Sequence, residues 1–208
     1  MQVTVITATT NPMDVIGIAA GMCYGKPTPS PKRVRRCAKA GHMSVFEHAS
    51  ATFIVEDISR ACLAQLTRHR IASYSVMSQR YCKVDAGSLW YVTPPSVVGT
   101  DAESRFRAQT SDAMWSYQAA IEEGMKPEDA RYLLPEATKT SLVMTINARS
   151  LQNFLTLRLD SHAQWEIREL ALEIERELMD WDEQWSELMV LLMALRIMRA
   201  ARELEAEE

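Results

Sequence analysis

The spacing of apolar residues changes along the chain between the two-residue period of strands and the longer period of helices. Three short segments are typical of strands, namely Val3–Ala8, Ala51–Glu56 and Thr140–Ile146. Segments with helical spacing predict helices over 12–22, 32–40, 58–67, 101–123 and 127–134, and again from 148 onwards. The last part of the chain is expected to form two helices, or one with a break near Asp180. This order predicts an α+β fold.

Local signals give the boundaries of several of these elements. Asn11 followed by Pro12 is typical of an N-cap and a proline at the first helical position. Gly41 is expected to end the second helix, and Asp57 to cap the third. The segment 71–82 should be a loop that continues into a strand.

Two expectations about side-chain direction follow from these elements. Gln65, Arg68 and His69 are three and four residues apart, so a helix reaching that point would place them on one edge. In an extended backbone, Ser78 and Arg80 would point to one side of the chain, opposite to their neighbours Gln79 and Tyr81.

Composition is that of an ordinary globular protein, and it limits the possible functions. The 208 residues show no internal repeat or persuasive boundary, so one domain over residues 1–208 is expected. A net charge of −4 argues against a general nucleic-acid binder. The four cysteines are scattered, as is usual for reduced thiols in the cytoplasm. The sequence shows neither a signal peptide nor an apolar run long enough to cross a bilayer. We therefore expect a cytoplasmic protein without membrane contact. The acidic end, 202–208, should be solvated.

The arginines indicate a site for anions. Arg68-His69-Arg70 is followed seven residues later by Ser78 and then by Arg80, and arginine outnumbers lysine 17 to 6. A guanidinium offers a planar fork of donors that fits phosphate or carboxylate oxygens in pairs. Taken alone, such a cluster is more often a solvated surface than a binding site.

The spacing RHR-x7-S resembles the signature of the flavin-dependent thymidylate synthases. Two further segments support the resemblance: Phe46-Glu47-His48 upstream, and the second signature block NARSLQNFLTLRLDSHAQWE, from Asn147 to Glu166. The likeness extends from about Cys23 to Glu166, and several separated motifs in the right order are more specific than one short pattern. It implies a single α+β domain with a mixed or antiparallel sheet flanked by helices.

The resemblance implies a reaction and a set of ligands. Such enzymes methylate deoxyuridine monophosphate (dUMP) at C5, with methylenetetrahydrofolate as carbon donor and flavin adenine dinucleotide (FAD), reduced by NADPH, as hydride source. They are homotetramers whose active sites combine residues of several subunits. The implied dUMP-binding residues are Gln65, Arg68, Ser78, Gln79, Arg80, Arg131 and Arg158. The implied FAD-binding residues are His48, Ser50, Arg68, His69, Arg70, Asn147, Arg149 and Asn153.

Arg158 is the implied catalytic residue. It lies at helical spacing from Leu151 and Phe154, and a charged group on such an apolar face is costly unless it is paired. Its role by resemblance is to stabilise the ionised, electron-rich form of the uracil ring. From the residues alone, it could instead extend its guanidinium to solvent or pair with Asp160.

Other interpretations of single residues stay open. Ser78 is interpreted as a hydroxyl that holds substrate, and covalent attack would need an adjacent base. His42, Glu47 and His48 do not by themselves form a metal site, so no metal is expected. His162 and Glu166 are expected as a helical i,i+4 pair, structural or peripheral to the flavin.

Val76 departs from the family, in which a polar residue beside the substrate is usual. Valine cannot form that hydrogen bond, so the choice of substrate could differ. A related enzyme that adds hydroxymethyl to the same pyrimidine carbon is therefore one alternative. A non-catalytic nucleotide-binding module that kept the phosphate sites is another.

Overall fold

The computed structural model describes residues 1–207, and the side chains of residues 1–198. The predicted solvated end, 202–208, lies outside the side chains described. The fold is α+β, as predicted, with four strands in an antiparallel sheet of order β1-β2-β4-β3. The strands are β1 (Gln2–Ala8), β2 (Ser50–Ser59), β3 (Ser73–Val76) and β4 (Lys139–Asn147).

The helices agree with most of the predicted segments. They are α1 (Pro12–Met22), α2 (Pro31–Lys39), α3 (Arg60–Leu66), α4 (Ala102–Glu122), α5 (Pro127–Ala130), α6 (Ala148–Arg158), α7 (Trp165–Met179) and α8 (Glu183–Glu207). Two short 3-10 helices, Met43–His48 and Arg131–Leu133, precede β2 and follow α5. None of the described helices is long and apolar enough to span a bilayer.

Packing divides the chain into two compact units. The first comprises Met1, Glu56–Arg68 and Ser75–Leu142, and the second comprises Gln2–Val55, His69–Tyr74 and Val143–Glu208. The core of the first unit forms around α4, where Met114, Tyr117 and Ala120 pack with Val84, Ala86, Tyr91 and Ala130. The core of the second unit is built by apolar faces of its helices, with Ile16, Phe46, Phe154, Ile174 and Trp185 fully buried.

Period-two alternation is clearest in β4. Its residues alternate between buried and half-buried positions along the whole strand, and Leu142, Met144 and Ile146 are buried. On the other face, the hydroxyls of Thr145 and Thr52 form a cross-strand hydrogen bond at 3.0 Å. The strand predicted here from alternation is therefore confirmed.

Two local expectations were wrong. Asp57 does not cap α3, because β2 continues to Ser59, whose side chain accepts from the Cys62 N–H. Asp57 itself takes a left-handed backbone, with φ of 60°. Asn11 is the N-cap of α1 and Pro12 is its first residue, as predicted, although Asn11 has positive φ and its side chain makes no cap hydrogen bond.

The second wrong expectation concerns the segment after β3. It does not continue extended, because the carbonyl of Ser78 accepts from the N–H groups of Tyr81 and Cys82, which closes a turn. The expectation that Ser78 and Arg80 point to one side of a strand is therefore wrong.

Candidate active site

The end of the FEH segment meets the start of the second signature block within the second unit. The Ala148 N–H donates to the Ala49 carbonyl at 2.8 Å, and the guanidinium of Arg149 pairs with the carboxylate of Glu47. Asn147 caps α6, because its side-chain oxygen accepts from the Ser150 N–H at 2.9 Å. Two motifs that are far apart in sequence are thus joined by a backbone hydrogen bond and an ion pair.

Arg158 meets His69 in the same unit. The Nε–H of Arg158 donates to Nε2 of His69 at 2.9 Å, so the last residue of α6 contacts the middle of the RHR triplet. The imidazole lies edge-on to Phe154, with ring centroids 5.0 Å apart, and the Tyr74 hydroxyl donates to the His69 carbonyl at 2.9 Å. The Asp160 carboxylate accepts from the His162 N–H at 2.8 Å.

His69 is a neutral acceptor in this arrangement. Partial burial, and secondly the nearby charge of Arg158, lower the pKa of His69 to about 4. Nε2 can accept a hydrogen bond only when it carries no proton, so the ring proton resides on Nδ1. Burial likewise raises the pKa of Tyr74 to about 12, which keeps its hydroxyl a donor.

The other residues implied for FAD in this unit are accessible. His48, Arg70, Arg149 and Asn153 are exposed, while Ser50 is half-buried at the start of β2. The backbone of Ser50 is held by Thr9, whose hydroxyl accepts from the Ser50 N–H at 2.9 Å. Such exposed donors fit a large anionic coenzyme better than a small enclosed ligand.

In the first unit, Glu128 connects two of the arginines implied for dUMP. Its carboxylate accepts from Arg80 Nε at 2.9 Å, and its backbone carbonyl accepts from Arg131 Nε at 3.0 Å. Both guanidinium groups are therefore held at one short helix, α5. No sequence motif marks Glu128, although it lies three residues before Arg131.

Arg131 and Gln79 line a cavity of about 360 Å³ in the first unit. Its remaining lining residues are Arg60, Tyr132, Leu134, Pro135 and Glu136. Burial, together with the positive charge of Arg131, lowers the pKa of Arg60, and Glu136 opposes that shift. With two guanidinium groups and one carboxylate, the cavity favours an anion.

Arg60 lines the cavity, although no sequence motif marks it. It falls within the helix predicted over 58–67. The available signal was a charged residue between the apolar positions Ile58 and Cys62, both of which are fully buried.

Ser78 and the residues after α3 take different positions from those expected. The Ser78 hydroxyl accepts from the Arg80 N–H at 3.3 Å, which is the geometry of a side chain that stabilises its own turn. The helix ends at Leu66, so the expectation that Gln65, Arg68 and His69 share a helical edge is wrong. Arg68 is exposed, and its N–H donates to the Gln65 carbonyl at 3.4 Å.

The predicted His162–Glu166 helical pair was also wrong. α7 begins at Trp165, so His162 precedes it and is exposed, with Nδ1 2.9 Å from Asp160. Glu166 is buried in the first turn of α7. Among the described side chains, no three His, Cys, Asp or Glu residues are grouped as a metal site would require.

Comparisons with known proteins identify the family of this chain. Residues 4–182 match the family model described as thymidylate synthase complementing protein. The flavin-dependent thymidylate synthase of Geobacter sulfurreducens is 39% identical over 188 residues, covering 85% of this chain and 81% of that protein. The enzyme of the same name from Pyrococcus furiosus is 34% identical over 207 residues, covering 90% and 85%.

Solved structures show the same fold. A Helicobacter pylori flavin-dependent thymidylate synthase complexed with FAD and dUMP has a TM-score of 0.72 and 31% identity, covering 86% of this chain and 94% of that chain. A second structure from that organism, also with FAD and dUMP, has a TM-score of 0.76, 28% identity and coverage of 92% and 99%. The fold and the paired motifs place the chain in the class of α+β enzymes to which these solved structures belong. The chain belongs to the flavin-dependent thymidylate synthase family.

Proposed function

We propose that this protein is a flavin-dependent thymidylate synthase, which methylates dUMP at C5 with methylenetetrahydrofolate as carbon donor. FAD, when bound and reduced by NADPH, supplies the hydride. One observation carries the proposal: the Arg158–His69 hydrogen bond joins the two signature blocks of the sequence at 2.9 Å. A chain that had kept only phosphate-binding surfaces would not need that contact.

Arg158 is the proposed catalytic group. Its guanidinium is oriented by His69 and emerges from an α6 whose Leu151, Phe154 and Leu155 are buried. A fixed cation beside the uracil ring stabilises negative charge that develops on the ring, because it needs no reorganisation during the reaction. The protein's tasks are therefore to position the ligands, to supply charge and to exclude water.

The proposed nucleotide-binding residues are Gln65, Arg68, Ser78, Gln79, Arg80, Arg131 and Arg158. Support comes from the cavity lined by Gln79 and Arg131 and from the shared attachment of Arg80 and Arg131 to Glu128. Arg80 would exchange its exposed ion pair with Glu128 for a phosphate, at low cost because such pairs contribute little. Ser78 binds substrate in this proposal and does not attack it.

The proposed FAD-binding residues are His48, Ser50, Arg68, His69, Arg70, Asn147, Arg149 and Asn153. Their arginine side chains fit the oxygen atoms of the FAD pyrophosphate. The sequence contains no glycine-rich dinucleotide-binding loop that could bind the pyrophosphate instead. The Nδ1–H of neutral His69 adds a donor on the ring edge opposite to Arg158.

We also propose a cytoplasmic homotetramer, in which residues 1–208 act as one domain and the active sites combine residues of several subunits. Three of the arginines implied in ligand binding are each followed by a large apolar residue that is highly exposed in the single chain, Ile71 at 73%, Tyr81 at 80% and Tyr132 at 84%. Exposed apolar groups of this kind are typical of surfaces that another subunit covers.

A spectrum and an assay test the proposed activity. The purified protein should show oxidised flavin absorbance or take up added FAD, and NADPH should bleach that absorbance under anaerobic conditions. Labelled methylenetetrahydrofolate and dUMP should then give labelled thymidylate. A protein that takes up no flavin would contradict the proposal. A hydroxymethylated product would contradict it as well and would support the related enzyme that Val76 suggests.

A further inference from the structure

The imidazole of His69 is held from several directions within the second unit. Nε2 accepts from Arg158 at 2.9 Å, the ring packs against Phe154 at an interplanar angle of 78°, and the backbone carbonyl is held by the Tyr74 hydroxyl. Side-chain and backbone contacts therefore fix both the position and the tilt of the ring. A residue that served only as a flexible coenzyme contact would not require this degree of restraint.

We propose that His69 is a positioning residue for Arg158, whose neutral Nε2 accepts the Nε–H and so fixes the guanidinium plane in the orientation that the uracil ring of dUMP requires. This role rests on the proposed function and adds to it. The flavin contact implied by the resemblance would use the other edge of the ring. The two roles are compatible, since they use different ring nitrogens.

The hydrogen bond fixes the orientation of the guanidinium because its donor is Nε of Arg158. Nε lies at the base of the fork, so a bond there restricts rotation about the last single bond of the arginine side chain. The Nη groups then keep a constant plane, and planar recognition by arginine depends on that plane. Misplacement of a catalytic group by about 1 Å can reduce a rate by as much as 100-fold.

The neutral state of His69 is necessary for this role, since an imidazolium has no acceptor. The surroundings favour that state: the ring is partly buried, and the ionisable groups in contact with it are the permanently charged Arg158 and the phenol of Tyr74. No carboxylate accompanies His69 in these contacts. The histidine therefore differs from one that is kept protonated by an acidic partner.

Paired variants separate the acceptor from the packing. His69→Phe keeps an aromatic ring against Phe154 but removes the acceptor, and His69→Gln restores an acceptor without the ring. His69→Phe also removes the Nδ1–H proposed to contact the flavin, so its FAD occupancy and its reduction by NADPH are measured and its turnover is expressed per bound flavin. Its dUMP-dependent turnover should fall roughly 10-fold, as expected for loss of one hydrogen bond to a charged group. His69→Gln should recover much of that turnover.

Arg158→Ala provides the second half of the test. If His69 acts through Arg158, His69→Phe should not weaken dUMP binding further in an Arg158→Ala background. Independent, additive losses would overturn the proposal. Equal turnover of His69→Phe and wild type per bound flavin would overturn it too, because any loss of activity would then reflect only the flavin contact of His69. Should His69→Phe fail to fold, His69→Asn replaces it, since its shorter side chain cannot bring an acceptor to Arg158.

The wild-type assay distinguishes failure of this inference from failure of the proposed function. Wild-type protein that forms no thymidylate rejects the function. The bond is still tested, through thermal unfolding of the wild type, His69→Phe, Arg158→Ala and the double variant. Non-additive shifts in Tm support the coupling of the two side chains, whereas additive shifts overturn it.

Discussion

Arg158 places a permanent positive charge at the end of a helix whose other inward residues are apolar. Its guanidinium is half-buried, and its Nε–H is bonded to His69. A fixed positive charge can stabilise negative charge that develops in a transition state. This geometry supports the catalytic role proposed for Arg158.

We expect Arg158→Ala to abolish thymidylate formation, a loss of about 100-fold or more as for other fixed electrostatic groups. FAD should remain bound, because the residues proposed to bind the flavin are unchanged. The measurements are product formation and the flavin absorbance per chain. Arg158→Lys is the matched control: it keeps the charge but lacks the fork, so it should remain strongly impaired. Near-normal turnover of Arg158→Ala would reject the assigned role.

His69 should make stability depend on pH. Its pKa is about 4 in the folded protein and about 6.5 in an unfolded chain, so between these values only the unfolded chain binds the proton. The free energy of unfolding should therefore fall as pH drops from about 6.5 to about 4, and this contribution should level off below that. Partial solvent exposure reduces the expected loss to about 1–2 kcal/mol.

Denaturant titrations at several pH values measure this effect. His69→Gln has no group that titrates at this position, so its stability should fall less than that of the wild type over the same interval. Parallel curves for the two proteins would show that His69 does not contribute.

Arg60 offers a separate test of the cavity in the first unit. Arg60→Met keeps much of the side-chain volume and removes the charge, so dUMP should bind roughly 10-fold more weakly if its phosphate enters this cavity. FAD binding should not change. Arg107→Met is the control, because Arg107 pairs with Glu103 on α4 and does not line the cavity. Calorimetric titration with dUMP gives both affinities, and equal affinities would place the phosphate elsewhere.

At the scale of elements, the connection between α1 and α2 depends on a close backbone approach. The chain folds back over Gly21, whose carbonyl accepts from the Lys26 N–H at 3.0 Å. Arg33 then secures the loop, since its Nη1 donates to the carbonyls of Gly17 and Thr28 at 2.8 and 3.1 Å. One arginine therefore supplies hydrogen bonds that this proline-rich loop cannot form for itself.

Gly21→Ala should destabilise the protein. The added Cβ would lie 2.1 Å from the Lys26 carbonyl oxygen, and a backbone atom cannot move away cheaply. We expect a loss of about 2 kcal/mol, since overpacking costs more than the gain in helix propensity. Thermal or denaturant unfolding measures it, with Gly87→Ala as control, because its Cβ would approach only the Asp85 side chain, at 3.3 Å. Equal stability of the two variants would contradict the argument.

The elements with a long, regular pattern were the ones that sequence could predict. The alternation in β4 predicted a strand, and the apolar stripe of α6 predicted a helix, and both predictions were correct. In each element the buried residues recur at a regular interval along the sequence. The predicted start of α3 at Ile58 was wrong for a physical reason, since the helix begins at Arg60. Ile58 is buried whether it belongs to a strand or to a helix, so its hydrophobicity could not decide between them.

The site shows a similar division. The motifs named the candidate residues, but contacts between distant residues depend on the fold. The Arg158–His69 bond spans 89 positions and the Glu47–Arg149 pair spans 102. The turn at Ser78 depends on which N–H groups reach one carbonyl, which residue types do not specify. Glu128 and Arg60 became evident only once α5 and the cavity were placed.

At the scale of the whole molecule, the proposed tetramer makes a strong prediction about inactive variants. Four chains of 23.5 kDa should sediment together at about 94 kDa. Arg80→Ala and Arg158→Ala should each be inactive alone. If Arg80 and Arg158 of one active site come from different subunits, co-assembly of the two variants creates some sites with both residues intact. Random mixing at equal amounts should restore about a quarter of wild-type activity.

The complementation assay distinguishes shared from self-contained sites. If each site takes both arginines from one chain, every site in the mixture lacks one of them, and the mixture stays inactive. The variants should be unfolded and refolded together, or co-expressed, because a stable tetramer exchanges subunits slowly. A mixture of separately refolded tetramers is the control and should show no recovery. Activity in that control would show that one of the variants is active alone. Its arginine would then not be required for the reaction.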